Sequence, residues 1–145
     1  MNNAEERRAA RLILLDSTGR ILLFRHARRN GETFWAPPGG GLETGETFEL
    51  AALREASEEL GLVYCSVKFL WENNTEFVYI DRPVCQREQY FLIEGPLSGL
   101  LFNVRSTHER EGIVETKWWT IGDLEATKEP VFPEDLAPQL KAISI

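Results

Sequence analysis

Apolar residues along this chain alternate or gather in short blocks, and change to a helical spacing in two places only. Ala9 to Leu15 and Arg20 to Phe24 are apolar runs divided by Asp16-Ser17-Thr18-Gly19, a pattern that predicts two strands joined as a hairpin. Between Leu62 and Trp71, Val67, Phe69 and Trp71 alternate with polar or mixed positions, and Glu76 to Ile80 and Gln89 to Ile93 repeat the enrichment in aromatic and β-branched residues. Asn73-Asn74 and Asp81-Arg82-Pro83 read as the turns that separate these strands. A further strand is expected over Ile113 to Ile121, and a short closing helix over Glu134 to Ile143, its start marked by Pro133.

The clearest helical signal follows a glycine-rich turn. Ala52, Leu53, Ala56 and Leu60 form an apolar stripe, so a helix beginning near Glu46 is expected to lie on a core. Thr44 is a candidate N-cap and Gly61 a C-terminal stop. The other side of this helix is unusual. Glu55, Glu58 and Glu59 stand three and four residues apart, which should turn three carboxylates roughly one way, away from the packing stripe. Like charges at this spacing repel by a few tenths of a kcal/mol when exposed and by up to about 4 kcal/mol when partly desolvated. A hard divalent cation would remove that cost. Gly39-Gly40-Gly41, just upstream, supplies a backbone able to approach a ligand closely.

From Gly40 the spacing runs Gly, five residues, Glu46, seven residues, then Arg54-Glu55-Ala56-Ser57-Glu58-Glu59-Leu60-Gly61-Leu62. This resembles the full signature box of the Nudix hydrolases at every defining position. Phe34 to Gly39 and Glu115 to Trp119 are also similar to the family's usual flanks. The resemblance implies an α/β fold, a Nudix-type α/β/α sandwich with a mixed β-sheet, as a single domain over residues 1–145. It implies Mg²⁺ or Mn²⁺ held by Glu58 and Glu59 with the Gly39 carbonyl, Glu55 being a further ligand or the general base. Arg54 would orient the carboxylates and Glu46 would hold Arg54. Many members recruit one more loop carboxylate, for which Glu109 and Glu111 are better placed than Glu115, a residue inside the expected last strand. Solvation of each is the competing reading.

Two candidates for substrate contact remain. Arg25 opens a basic stretch, Arg25-His26-Ala27-Arg28-Arg29, that is either a solvated loop or a phosphate contact, and the family's habit favours Arg25. His26 reads as structural. Tyr79 lies 17 residues beyond the box, where dinucleoside polyphosphate hydrolases carry a tyrosine. Phe34, Trp35, Trp71 and Trp119 could also stack on a base, but most are expected in the core.

Length and charge narrow the function. A chain of 145 residues is enough for one core. A net charge of -7 argues against a nucleic acid polymer as partner, because such binding rests on dense Lys and Arg contacts. Cys65 and Cys85 have no CxxC spacing, and no leader or apolar span is apparent, so a cytoplasmic protein with reduced thiols and no membrane partner is expected. Many relatives are dimers, so a homodimer is admitted. The expected activity is metal-dependent hydrolysis of the pyrophosphate bond in a nucleoside diphosphate linked to another group: a dinucleoside polyphosphate, ADP-ribose, a nucleotide sugar or a nucleoside triphosphate. The alternative is a catalytically silent module that binds a nucleotide.

Overall fold

A computed structural model describes residues 5–97, 100 and 112–143. Among the described residues, seven strands and three helices follow in the order β1 (Glu5–Ile13), β2 (Ile21–Ala27), β3 (Thr33–Ala36), β4 (Gly39–Gly41), α1 (Phe48–Leu60), β5 (Ser66–Tyr79), β6 (Arg82–Glu94), β7 (Ile113–Trp119), α2 (Ile121–Ala126) and α3 (Leu136–Ala142). The strands form two sheets. One is mixed, in the order β4-β1-β6-β5 with β1 and β6 parallel, and the other is antiparallel, in the order β3-β2-β7.

The alternation along each central strand explains the layers. Ala10, Leu12 and Leu14 of the first apolar run face one cluster, with Leu22, Phe24, Phe91 and the α1 residues Ala52, Ala56 and Leu60. Ile13, Ile21, Leu23 and Tyr90 face a second cluster closed by Leu136 and Leu140 of α3. The mixed sheet is thus covered by α1 on one face and α3 on the other, the expected α/β/α layering.

Three local expectations change. The turn at Asp16 to Gly19 forms, with Asp16 Oδ1 accepting from the backbone of Thr18 and Arg20 at 2.9 Å, but β1 and β2 share only the Leu15–Ile21 bridge before parting into different sheets. Both edges of β1 are already taken by β4 and β6, so the hairpin cannot continue. Asn73-Asn74 is no turn. Both residues pair with Glu88 and Arg87 inside the 14-residue β5, where the ladder and an Asn73 to Asp135 hydrogen bond of 3.3 Å outweigh their turn preference. The chain reverses instead at Ile80 and Asp81, both with positive φ, as a two-residue hairpin loop requires. The helix α2, unexpected from hydrophobic spacing, begins at a Thr120–Asp123 capping box, which ends the last strand at Trp119.

Candidate active site

Local sequence builds α1 and fixes its ends. Thr47, not Thr44, is the N-cap: its hydroxyl accepts from the Leu50 amide at 3.1 Å, while Gly45, at φ 80°, completes a turn closed by the Glu46 amide on the Glu43 carbonyl. Gly61 takes the left-handed conformation at φ 68° and its amide caps the last turn, as expected.

Two of the three acidic residues are not on an outer face. Glu55 is 4% exposed and Glu59 1%, beside buried Ala52, Ala56 and Leu60. At about 100° per residue, Glu59 falls near the middle of the buried arc, whereas Glu58 falls at its edge with a side chain 46% exposed. The apolar stripe and two of the three carboxylates therefore share one side of the helix. Gly40 makes room for this arrangement, since a Cβ there would stand 2.6 Å from Glu55 Oε1.

Arg54 organises the carboxylates. Its Nε and Nη2 donate to the two oxygens of Glu46 at 2.8 and 2.9 Å, and Nη2 also donates to the Gly41 carbonyl at 3.0 Å. Nη1 reaches Glu55 at 3.1 Å and Glu58 at 3.2 Å. The bidentate contact makes Glu46 the anchor and leaves one nitrogen to hold two carboxylates. Donation from Arg54 is the main reason the Glu46 carboxyl lies below its ordinary range, and the same bond raises the already high pKa of the guanidinium.

No three His, Cys, Asp or Glu side chains among the described residues form a preassembled metal cage. The donor set nonetheless suits Mg²⁺ or Mn²⁺. Mg²⁺ takes hard oxygens and commonly binds through one or two carboxylates completed by water and substrate phosphates, and two buried carboxylates beside a strand of glycines offer that chemistry. Gly39 opens β4 at φ 140° opposite Arg11, so tightly packed that a Cβ would lie 2.1 Å from the Ala10 carbonyl oxygen.

The other expected residues are distributed differently. Arg25 is engaged by Glu115 at 3.1 Å and Glu129 at 3.6 Å, with its guanidinium 5.8 Å from the centre of the Trp35 ring. Tyr79 ends β5 opposite Arg82, but its side chain, like Glu109 and Glu111, lies outside the described residues. Trp35, Trp71 and Trp119 are buried in the core, and His26 stacks on Phe34 with ring centres 5.0 Å apart.

Sequence reasoning missed a cavity of about 640 Å³ whose lining includes Arg11, Arg28, Phe34, Gln86, Glu88 and Phe132. It lies within the volume range of small-molecule sites. Arg11 comes from β1, directly across from Gly39, and donates from Nε to Glu88 at 2.8 Å. Burial opposes its charge, yet Glu88 and, more weakly, Glu59 raise its pKa. The available signal was one arginine inside an otherwise apolar run from Ala9 to Leu15.

Comparison with known proteins agrees with this architecture. An RNA pyrophosphohydrolase of Haemophilus ducreyi is 30% identical over 69% of this chain, a stretch spanning only 55% of that relative's length. One from Wolbachia pipientis is 28% identical over 87% of this chain and 82% of its own. A MutT NUDIX hydrolase structure from Burkholderia pseudomallei superposes with a TM-score of 0.65, covering 97% of this chain and 99% of that one; at 20% identity it speaks for the fold alone. A sequence model of the NUDIX domain matches residues 5–140, and the chain therefore belongs to the Nudix family.

Proposed function

We propose that this chain is a metal-dependent pyrophosphohydrolase that cleaves a phosphoric anhydride bond of a nucleotide. The observation that carries this reading is the pair of buried carboxylates, Glu55 and Glu59, on the helix beside the glycine strand, with Glu55 tied through Arg54 to Glu46. Burying carboxylate charge is costly, so a helix that does so without a chemical use is hard to explain by packing. Glu55, Glu58 and Glu59, with the Gly39 carbonyl, would hold Mg²⁺ or Mn²⁺. When bound, the ion supplies charge neutralisation at the phosphate oxygens and a more acidic water. The protein's own part is to keep the carboxylates correctly turned, which Arg54 does for Glu55 and Glu58 from one nitrogen, and to accept the proton of the attacking water on a carboxylate of the cluster.

Mg²⁺-dependent release of a nucleoside monophosphate or phosphate-bearing product should appear in a panel of ADP-ribose, dinucleoside polyphosphates, nucleotide sugars and nucleoside triphosphates. Turnover of every member at the parental rate by a folded Glu59→Gln variant would refute the assignment. A second reading is favoured by the relatives named RNA pyrophosphohydrolase: removal of pyrophosphate from the 5′ end of RNA. The net charge of -7 weighs against a long polyanion. A 5′-triphosphorylated oligonucleotide added to the panel separates the two. Nucleotide binding without product under any divalent ion would instead mark a silent binding module.

A further inference from the structure

Among the described residues, no strand pairs with the outer edge of β5. It is the last strand of the mixed sheet and runs for 14 residues, whereas the opposite edge is the three-residue β4. An edge of that length offers a row of unpaired amides and carbonyls to another chain, and folded proteins commonly blunt it with proline, lysines or a short strand. β5 contains no proline and a single lysine, Lys68. Its one irregularity is a bulge at Leu70, between Phe69 and Trp71.

Apolar side chains stand exposed on one face at both ends of this edge. Phe69, 51% exposed, meets Phe91 of the α1 layer edge-on. Glu72 faces the same layer, since its partner Arg87 lies over the Phe48 ring of α1, and two-residue alternation carries that face on to Val78, 72% exposed. Between these ends the face is polar, with Asn74 and Glu76. The chain then turns through Ile80, 77% exposed at φ 48°, a conformation that disfavours a β-branched residue and usually takes asparagine or glycine. Burial within its own chain does not explain an isoleucine there.

A foreign strand would have to match this apolar, polar, apolar order, whereas a second copy matches it by symmetry. Because the bulge takes Leu70 out of the ladder, Phe69 and Val78 stand equally far from Asn74 along β5. Antiparallel pairing of β5 with itself about Asn74 therefore sets each Phe69 opposite the partner's Val78 and near the partner's Ile80, so that the apolar ends cover one another. Lys68, the only cation of β5, is brought to the hairpin tip that carries Asp81, which makes the two ends complementary in charge as well. One contact opposes the arrangement, Glu72 across from the partner's Glu76, and Glu72 already accepts from Arg87 and Gln89 at 3.0 Å. We propose that the outer edge of β5 is a homodimer interface through which two copies join their mixed sheets about a two-fold axis at Asn74.

Sedimentation equilibrium of the full chain from about 1 to about 100 µM tests this, with a monomer–dimer Kd of about 10 µM or tighter expected. Phe69→Lys and Val78→Lys each place a charge where the single chain is already exposed, so both should weaken the dimer more than about tenfold while the chain still melts cooperatively. Val114→Lys, at an exposed position on β7, should leave it within about twofold. In a chain whose Cys65 and Cys85 are replaced by serine, Asn74→Cys should form a disulfide with its own copy under mild oxidation, because a residue on the axis faces itself at bridging distance, and Val114→Cys should not. A monomer at every concentration, a dimer that survives either lysine, or an Asn74→Cys dimer that forms no disulfide would overturn the proposal. None of these readouts involves turnover, so a parent that hydrolyses nothing with Mg²⁺ would remove the catalytic reading and leave the interface standing.

Discussion

The acidic helix and the cavity face opposite sides of one sheet, and they are assembled in opposite ways. Everything in the first comes from a single local stretch: Gly39 to Gly41, Glu46, Arg54, Glu55, Glu58 and Glu59 stand within one short strand, the turn after it and one helix. The second draws on β1, β3, β5, β6 and the segment before α3, brought together by the parallel pairing of β1 with β6, the long β5–β6 hairpin and the bridge from Trp35 to Val131. A site encoded locally keeps its spacing in the sequence and can be recognised there. One encoded by topology has no spacing to recognise.

The two should also fail separately, except where β4 of the acidic site pairs with β1, which carries Arg11 of the cavity. Gly39→Ala strikes that pairing. It forces a side chain onto the Ala10 carbonyl at φ 140°, and the strain and overpacking together should cost about 2–6 kcal/mol in urea unfolding, damaging both activity and nucleotide binding. Glu59→Gln should divide them: kcat falls by about 10²-fold or more, whereas the affinity for a nucleoside monophosphate in EDTA stays within about twofold. The converse variant, Phe77→Ala, removes an aromatic ring from the cavity lining and should weaken nucleotide binding by about 1–3 kcal/mol with little change in kcat at saturation. Equal effects of these two variants on kcat and on binding would erase the distinction.

The smallest expected effect is a pH dependence confined to the helix site. The Glu46 carboxyl lies below its ordinary value of 4.5, chiefly because Arg54 donates to it. A carboxyl depressed in the folded state contributes stability that is complete above the unfolded value and is lost as pH falls through the folded value. Urea midpoints followed downward from pH 4.5 should therefore drop less in Glu46→Gln than in the parent, with nucleotide affinity unaffected in the range where both remain folded.

Legibility in the sequence follows the same division. The family, the box helix, the Gly61 stop and the Arg54 to Glu46 contact could all be read from residues a few positions apart. The burial of Glu55 and Glu59 could not, because charge was read as exposure; only the phase of Ala51 together with Ala52, Ala56 and Leu60 around the helix reveals that both carboxylates lie inside the arc they bound. Asn73-Asn74 misled for a related reason, since local turn preference gives way inside a long ladder. Arg11 was visible as a lone charge in an apolar run, but its partner Glu88 is 77 residues away and meets it only through the sheet.

Gly39 to Gly41 give β4 no side chains at all. Where a sheet would normally interpose a row of side chains, the wall at this edge is only one backbone thick. A methyl group added at Gly39 or Gly40 would press on the Ala10 carbonyl or on the Glu55 carboxylate, so the close fit of the acidic helix and β1 around this strand is set by what those two residues lack.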